Sequence, residues 1–309
     1  MSLITNRQEV LELYGYAREK KWVLPCICSE NLTTTEAVLS AYSEYAKKRG
    51  IKKMPVILAM TVNYQSRPQA RHYTHTRKWD IGLRLFYSDI QILCGDGGPF
   101  EDLDVMVHLD HVQHDLDADL LSGDLRPYSS IMYDASALPF EENIRKTAEF
   151  VEKNRDIIVI EGACDEIAEA SGSQRGGFTD PGDALRYIER TGADMAVCNL
   201  GTEHRAFGRD LIYRDDIAVK IKEKIGQRIV LHGASSVPND CVENLFDDGI
   251  CKVNIWTALE RDTAPLLYDD MKRNEGKTGL PYFTAAYRNE IVFEGMKDIV
   301  KAYLELWFK

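Results

Sequence analysis

No stretch of the 309-residue chain approaches eighteen consecutive apolar residues, so no segment reads as a membrane-spanning helix. The opening MSLITNRQEVLELYGY is too polar and acidic for a signal peptide. Positive charge is in deficit: 38 Lys and Arg face 49 Asp and Glu, a net charge of -11. A basic tract and zinc-finger spacing are also missing. Together these argue against nucleic acid and anionic membrane as partners. There is no Walker loop and no dinucleotide fingerprint. The seven cysteines are odd in number, and several lie in apolar runs. That pattern suits reduced thiols rather than a disulfide framework, and a cytoplasmic location is expected. Cys26 and Cys28 share one side of a strand, but a two-residue spacing alone is a poor metal signal. No linker, repeat or composition shift marks a second domain, so one domain over residues 1–309 is expected.

Short apolar runs alternate with longer amphipathic ones. Strands are predicted at Trp22–Ile27, Met54–Met60, Val105–Leu109, Ser130–Tyr133, Ile157–Ile160, Met195–Cys198, Arg228–Leu231 and Ile250–Ile255. Helices are predicted around Arg7–Glu19, at Thr33–Lys48 with Asn31 or Thr33 as cap, within Arg77–Leu93, at Pro139–Lys153 and at Pro181–Thr191. Pro181 near a helix start and Gly192 near its end follow the usual asymmetry. A helical region from about Leu259 to the end closes the chain. Eight strands with helical crossovers define an α/β fold, a (β/α)8 TIM barrel. A doubly wound open sheet is the alternative.

Barrels place their chemistry just after the strands. Of seven histidines, three lie there: His111 in VHLDH, His204 in NLGTEH and His232 in VLHG. Three imidazoles with an open position suit a catalytic Zn²⁺. Asp110 can act as ligand, orienter or base. His108 reads as structural support before ligation, and His114 as a loop group. The small-residue runs Gly233–Ser236 and Lys252–Thr257 follow strand seven and span strand eight, where this fold binds phosphate. Alone, each run is more often a plain turn. Two aperiodic segments, Tyr64–Thr76 and Gly162–Phe178, are candidates for lid or specificity loops.

At this point the sequence resembles the class II fructose-bisphosphate and tagatose-bisphosphate aldolase family. The segments that carry the resemblance are LPCICSENL, MPVILAM, VHLDH, IMYDASALPFEENIRKT, GGFTDPGDALRYIERTGAD, NLGTEH, VLHGASSVP and DGICKVNIWT, in the family's order across most of residues 20 to 260. The resemblance implies a (β/α)8 barrel, a homodimer or higher homo-oligomer, and a phosphorylated sugar as substrate. It implies zinc or another divalent metal on His111, His204 and His232, with a monovalent cation as a further candidate. It assigns proton handling at the cleaved carbon to Asp110, and the holding of dihydroxyacetone phosphate as its enediolate to Asn254. It assigns substrate and phosphate contacts to Gly233, Ser235 and Thr257. Lys252, Arg205, Asn31 and Thr61 are further candidates for substrate binding.

The departures from the family pattern are equally specific. In V-E-x-E-L-G, Glu161 is kept but Ala163 stands in the second Glu position, with Cys164, Asp165 or Glu166 as possible replacements. The family's loop glutamate has no counterpart in Ser171–Gly176, which leaves Glu166 or Glu169 as substitutes. Arg205 replaces a glycine and Trp256 an aspartate. These changes point toward a variant sugar phosphate, carrying a carboxylate, sulfonate or deoxy centre. The primary expectation is retro-aldol cleavage giving dihydroxyacetone phosphate. The rivals are an epimerase, isomerase or other lyase on the same barrel, and a non-catalytic aldolase-like subunit.

Overall fold

The computed structural model describes residues 3–167, 177–203, 212–238, 240–277 and 290–308. Eight parallel strands close into a barrel in chain order. They are β1 Leu24–Cys28, β2 Met54–Thr61, β3 Leu103–Gln113, β4 Ser130–Asp134, β5 Val159–Ala163, β6 Met195–Val197, β7 Ile229–Leu231 and β8 Ile250–Ile255. Apart from Asp104 and Gln113 in β3, every strand residue is buried. That is why the strands read as continuous apolar runs rather than alternating ones: helices cover the outside and side chains fill the inside. β8 returns to β1 with Leu24 opposite Lys252 and Cys26 opposite Asn254. The open doubly wound sheet is thereby excluded.

The long helices are α1 Arg7–Glu19, α2 Leu32–Arg49, α4 Trp79–Cys94, α6 Phe140–Asn154, α7 Pro181–Thr191, α8 Asp215–Ile225, α9 Thr257–Arg273 and α10 Glu290–Trp307, with short turns α3 Gln69–His72 and α5 Ala118–Leu121. Local chemistry sets their ends. The Asn6 side chain accepts from the backbone N–H groups of Gln8 and Glu9 to open α1. Asp180 does the same for α7, whose first residue is Pro181 and whose end is Gly192 at φ 72°. α8, with two acidic residues in its first turn and lysines in its last, is a helix that the sequence reading does not identify. α10 packs on α2 and α9 and carries the buried Val300, Leu304 and Trp307 into the outer core. Among the described residues, no helix is long and apolar enough to cross a membrane.

One strand departs from its expected extent in a way that shapes the site. β3 runs on to Gln113, with a register shift between Leu109 and Val112 against β4. Within that irregularity His111 adopts φ 46°, a conformation uncommon for a non-glycine residue. A bulge re-aims side chains, and here it lets consecutive residues Asp110 and His111 both reach the pocket at the strand ends.

Candidate active site

The pocket lies at the C-terminal ends of the strands. β3 supplies Asp110 and His111, the end of β7 supplies His232, and β8 supplies Asn254. One potential ligand atom each from Asp110, His111 and His232 lies within 4.8 Å of the others, and all three residues are buried. His232 Nδ1 and His111 Nε2 are 3.1 Å apart, with ring planes 82° apart. Two nitrogens about 2.0 Å from one tetrahedral ion would be roughly 3.3 Å apart. The pair therefore fits a shared divalent cation. His111 Nδ1 faces Asp134 Oδ2 at 3.3 Å, which leaves Nε2 directed at the cluster. A carboxylate behind a ligating imidazole fixes its tautomer and ring orientation. Tyr64 stacks on the same ring at 4.4 Å and 13°.

Electrostatics agree with this geometry. Burial alone would raise the Asp110 carboxyl, but neighbouring imidazoles, His111 foremost, outweigh it and hold it well below the usual carboxylate range. Asp134 is likewise pushed up by burial and lowered overall by His111 and Ser136. Both oxygens of Asp110 meet a donor. Asn254 Nδ2 donates to Oδ1 at 2.8 Å, and the Cys28 thiol approaches Oδ2 at 3.5 Å. Burial, with Asp110 beside it, pushes the Cys28 thiol up, so it stays a neutral donor. Asn254 Oδ1 is buried without a hydrogen-bond partner among the described residues and is an acceptor open to a bound hydroxyl.

Of the residues expected to meet phosphate, Gly233, Ser235 and Thr257 line the pocket, and the buried Ser235 hydroxyl has no hydrogen-bond partner among the described residues. Thr257 opens the 17-residue α9, whose N-terminal end thus meets the pocket. Gly233 sits at φ 68°, and a Cβ there would come within 2.9 Å of the Glu203 backbone. The residue preceding His204 therefore packs directly against the turn after His232.

Thr61 also lines the pocket, its hydroxyl donating to the Arg67 carbonyl. Other candidates are placed elsewhere. Lys252 is not at the phosphate loop; it is wholly buried inside the barrel and ion-paired with Glu161 at 2.7 Å. The strand period explains this, because Lys252 is two residues before Asn254 and points to the same interior one level lower. Asn31 is exposed and caps α2, accepting from the Thr34 N–H at 3.2 Å. Glu166 is exposed, and its carbonyl accepts from Asn199. Asp165 accepts from Thr179, and Cys164 is packed beside Tyr187 and Ile144. His204, Arg205 and Glu169 lie outside the described residues.

Several residues in the pocket or behind its ligands are not singled out by sequence. Asp134 carries a findable signal, a carboxylate ending a strand. Tyr64, Arg67 and Gln69 lie in the aperiodic Tyr64–Thr76 segment. Arg67 grips Glu30 with two nitrogens and lies over the Trp256 ring at 4.6 Å. Trp256 therefore forms a stiff wall rather than a loose aromatic.

A closed eight-stranded barrel with imidazoles and a carboxylate converging at the strand ends defines a metal-assisted TIM-barrel enzyme. The profile of the class II fructose-bisphosphate aldolases matches residues 8–309, and the chain belongs to that family. It is 26% identical over 273 residues to the D-tagatose-1,6-bisphosphate aldolase subunit GatY of Klebsiella oxytoca, covering 84% of this chain and 83% of that protein. Among solved structures, the fructose-bisphosphate aldolase of Campylobacter jejuni superposes with a TM-score of 0.79 at 18% identity, covering 99% of this chain and 95% of that one. The YdjI aldolase of Escherichia coli K12 gives 0.69 at 21% identity, covering 99% and 97%. At these identities the structural likenesses speak for the fold. Family membership and the histidine–carboxylate cluster together make the chain a metal-dependent class II aldolase acting on a sugar phosphate.

Proposed function

We propose that the enzyme cleaves a ketose 1-phosphate between C3 and C4, releasing dihydroxyacetone phosphate and an aldehyde, with Zn²⁺ as the metal. The observation that carries this reading is the 3.1 Å approach of His111 Nε2 and His232 Nδ1 beside the doubly held Asp110 carboxylate. His111 and His232, with His204 assigned by family motif, would hold the ion. Bound there, a divalent cation supplies a Lewis acid that stabilises negative charge on the ketone oxygen.

The chain's own residues do the rest. Asp110 takes the proton of the C4 hydroxyl as the bond to C3 breaks. Asn254 keeps Oδ1 engaged, so the proton is directed to Oδ2, where the thiol is only a weak donor. Asn254 Oδ1 accepts from a hydroxyl of the three-carbon half and orients it. Ser235, the backbone at Gly233 and the α9 N-terminus at Thr257 receive the phosphate. The wall of Tyr64 and Trp256, backed by Arg67, excludes water from the other half and selects the aldehyde. Glu166 or Glu169 returns the proton to C3. The working form is a cytoplasmic homodimer or larger homo-oligomer.

The test is dihydroxyacetone phosphate release from a panel of ketose 1-phosphates, read by coupled NADH oxidation, with and without chelator. Release that disappears on chelation and returns with Zn²⁺ supports the reading. A product of unchanged mass would assign isomerisation or epimerisation instead.

A further inference from the structure

Beneath Asp110 the barrel interior holds a charged layer where barrels usually place branched aliphatic side chains. Lys252, Glu161 and His108 are all fully buried. Lys252 Nζ lies 2.7 Å from Glu161 Oε1 and 3.2 Å from His108 Nε2. His108 Nδ1 lies 2.8 Å from Ser130 Oγ. Burial works against a charged lysine, but the carboxylate of Glu161 in contact with it and that of Asp110 nearby overcome it and hold Lys252 as an ammonium.

An ammonium only donates hydrogen bonds. At its contact with Lys252, His108 Nε2 must therefore accept, and the ring proton sits on Nδ1, donated to Ser130. This tautomer has a consequence one level higher. Asp110 Oδ1 and Glu161 Oε2 are each 3.7 Å from the same Nε2, just beyond hydrogen-bonding range. A proton on Nε2 would turn the ring into a donor aimed at Asp110 Oδ1, in competition with Asn254. A charge-assisted bond of that kind would displace the Asn254 amide from Oδ1 and turn the carboxylate out of the orientation the pocket gives it.

We propose that Lys252 is a positioning residue. Anchored by Glu161, it keeps His108 an acceptor at Nε2 and so leaves Asp110 Oδ1 to Asn254, with Oδ2 turned to the substrate. The inference rests on the reading of Asp110 as the base. Stability does not account for the layer, because buried ion pairs replaced by apolar residues of similar volume commonly leave stability unchanged or raise it.

The variant that tests it is Glu161→Leu/Lys252→Met, which removes both charges together. Lys252→Met alone strands a buried carboxylate and is expected to lose stability. In ¹⁵N-labelled, Zn²⁺-loaded protein, the His108 ring nitrogens should report Nδ1–H with Nε2 accepting. In the double variant the proton should move to Nε2. Its kcat should fall about tenfold or more, with KM, metal content and Tm near those of the parent enzyme. The proposal is overturned by Nε2–H in the parent enzyme, by an unchanged tautomer or kcat in the variant, or by a loss of kcat that merely tracks lost metal or lowered Tm. Absence of cleavage by the parent enzyme would count against the aldolase reading, while the ring nitrogens would still decide the role of Lys252.

Discussion

Gly233→Ala should damage metal binding even though residue 233 supplies no ligand. The glycine sits at φ 68°, and an added Cβ would lie 2.8 Å from the Glu203 carbonyl oxygen and 2.9 Å from its carbonyl carbon and nitrogen. A left-handed conformation costs a non-glycine residue about 1–2 kcal/mol. Forcing a methyl into a filled site costs about 1–3 kcal/mol more. Because the obstacle is backbone, no rotamer can relieve it, and either the turn after His232 or the segment before His204 must yield. The sum is about 2–5 kcal/mol, shared between global stability and the site. If half of it falls on the site, metal affinity drops about fivefold to seventyfold. The remainder should lower Tm by a few degrees, at about 2–4 °C per kcal/mol for a large domain. Competition with a chromophoric chelator measures the first effect and thermal melting the second. Gly15→Ala is the control: among the described residues nothing lies within 4 Å of a Cβ there. A glycine inside a helix is destabilising by roughly 0.5–1 kcal/mol relative to alanine, so this variant should be slightly more stable. A Gly233→Ala protein with parental Tm and parental metal affinity would refute the reasoning.

Asp134→Asn should weaken metal binding by about tenfold to a hundredfold while leaving the barrel folded, since the amide oxygen can still accept from the Ser136 N–H and hydroxyl while the carboxylate behind His111 is lost. Equal affinity in a chelator competition would remove Asp134 from the site. Asp110→Asn should keep Tm within a few degrees and lower kcat by about 10²–10⁴, a range typical of a lost general base; single-turnover product release is the measurement. Asp248 offers a pH test away from the metal. Burial raises its carboxyl, with Asp215 and Asp247 adding to the shift against the donated Tyr213 hydroxyl, 2.8 Å away. A raised native value means that ionisation opposes folding, and the penalty sets in as pH climbs from the unfolded value of about 3.9 through the native one. Asp248→Asn, which keeps an acceptor for Tyr213, should therefore match the parent near pH 3.5 and exceed its Tm at pH 7. A difference that is constant with pH would contradict the assignment.

The barrel was legible because its strands are buried on both faces, and continuous apolar runs such as Met54–Met60 betray them. Asp110, His232 and Gly233 stood out as polar or small residues just past predicted strands, whereas Asn254, inside β8, was picked out only by the family motif. What local pattern could not supply was level within the barrel. Lys252 and Asn254 share one strand face, yet one meets the pocket and the other is sealed beneath it, because depth depends on how neighbouring strands stagger. The extension of β3 past Leu109 was hidden for a similar reason: a bulge with His111 at positive φ breaks the alternation from which strand ends are read. Asp134 went unnoticed because its importance comes from an imidazole 23 residues earlier in the chain. Asn31 is the cap of α2, one of the two residues that the sequence offered for that place.

The seam where β8 meets β1 has a bearing on how the enzyme matures. Asn254 reaches across 144 residues to engage Asp110, and Cys28 approaches the same carboxylate from the first strand. The full constellation is therefore absent from any nascent chain that has not yet delivered its eighth strand. Capture of a tightly held ion can then serve as a late checkpoint, marking molecules whose ends have already found each other.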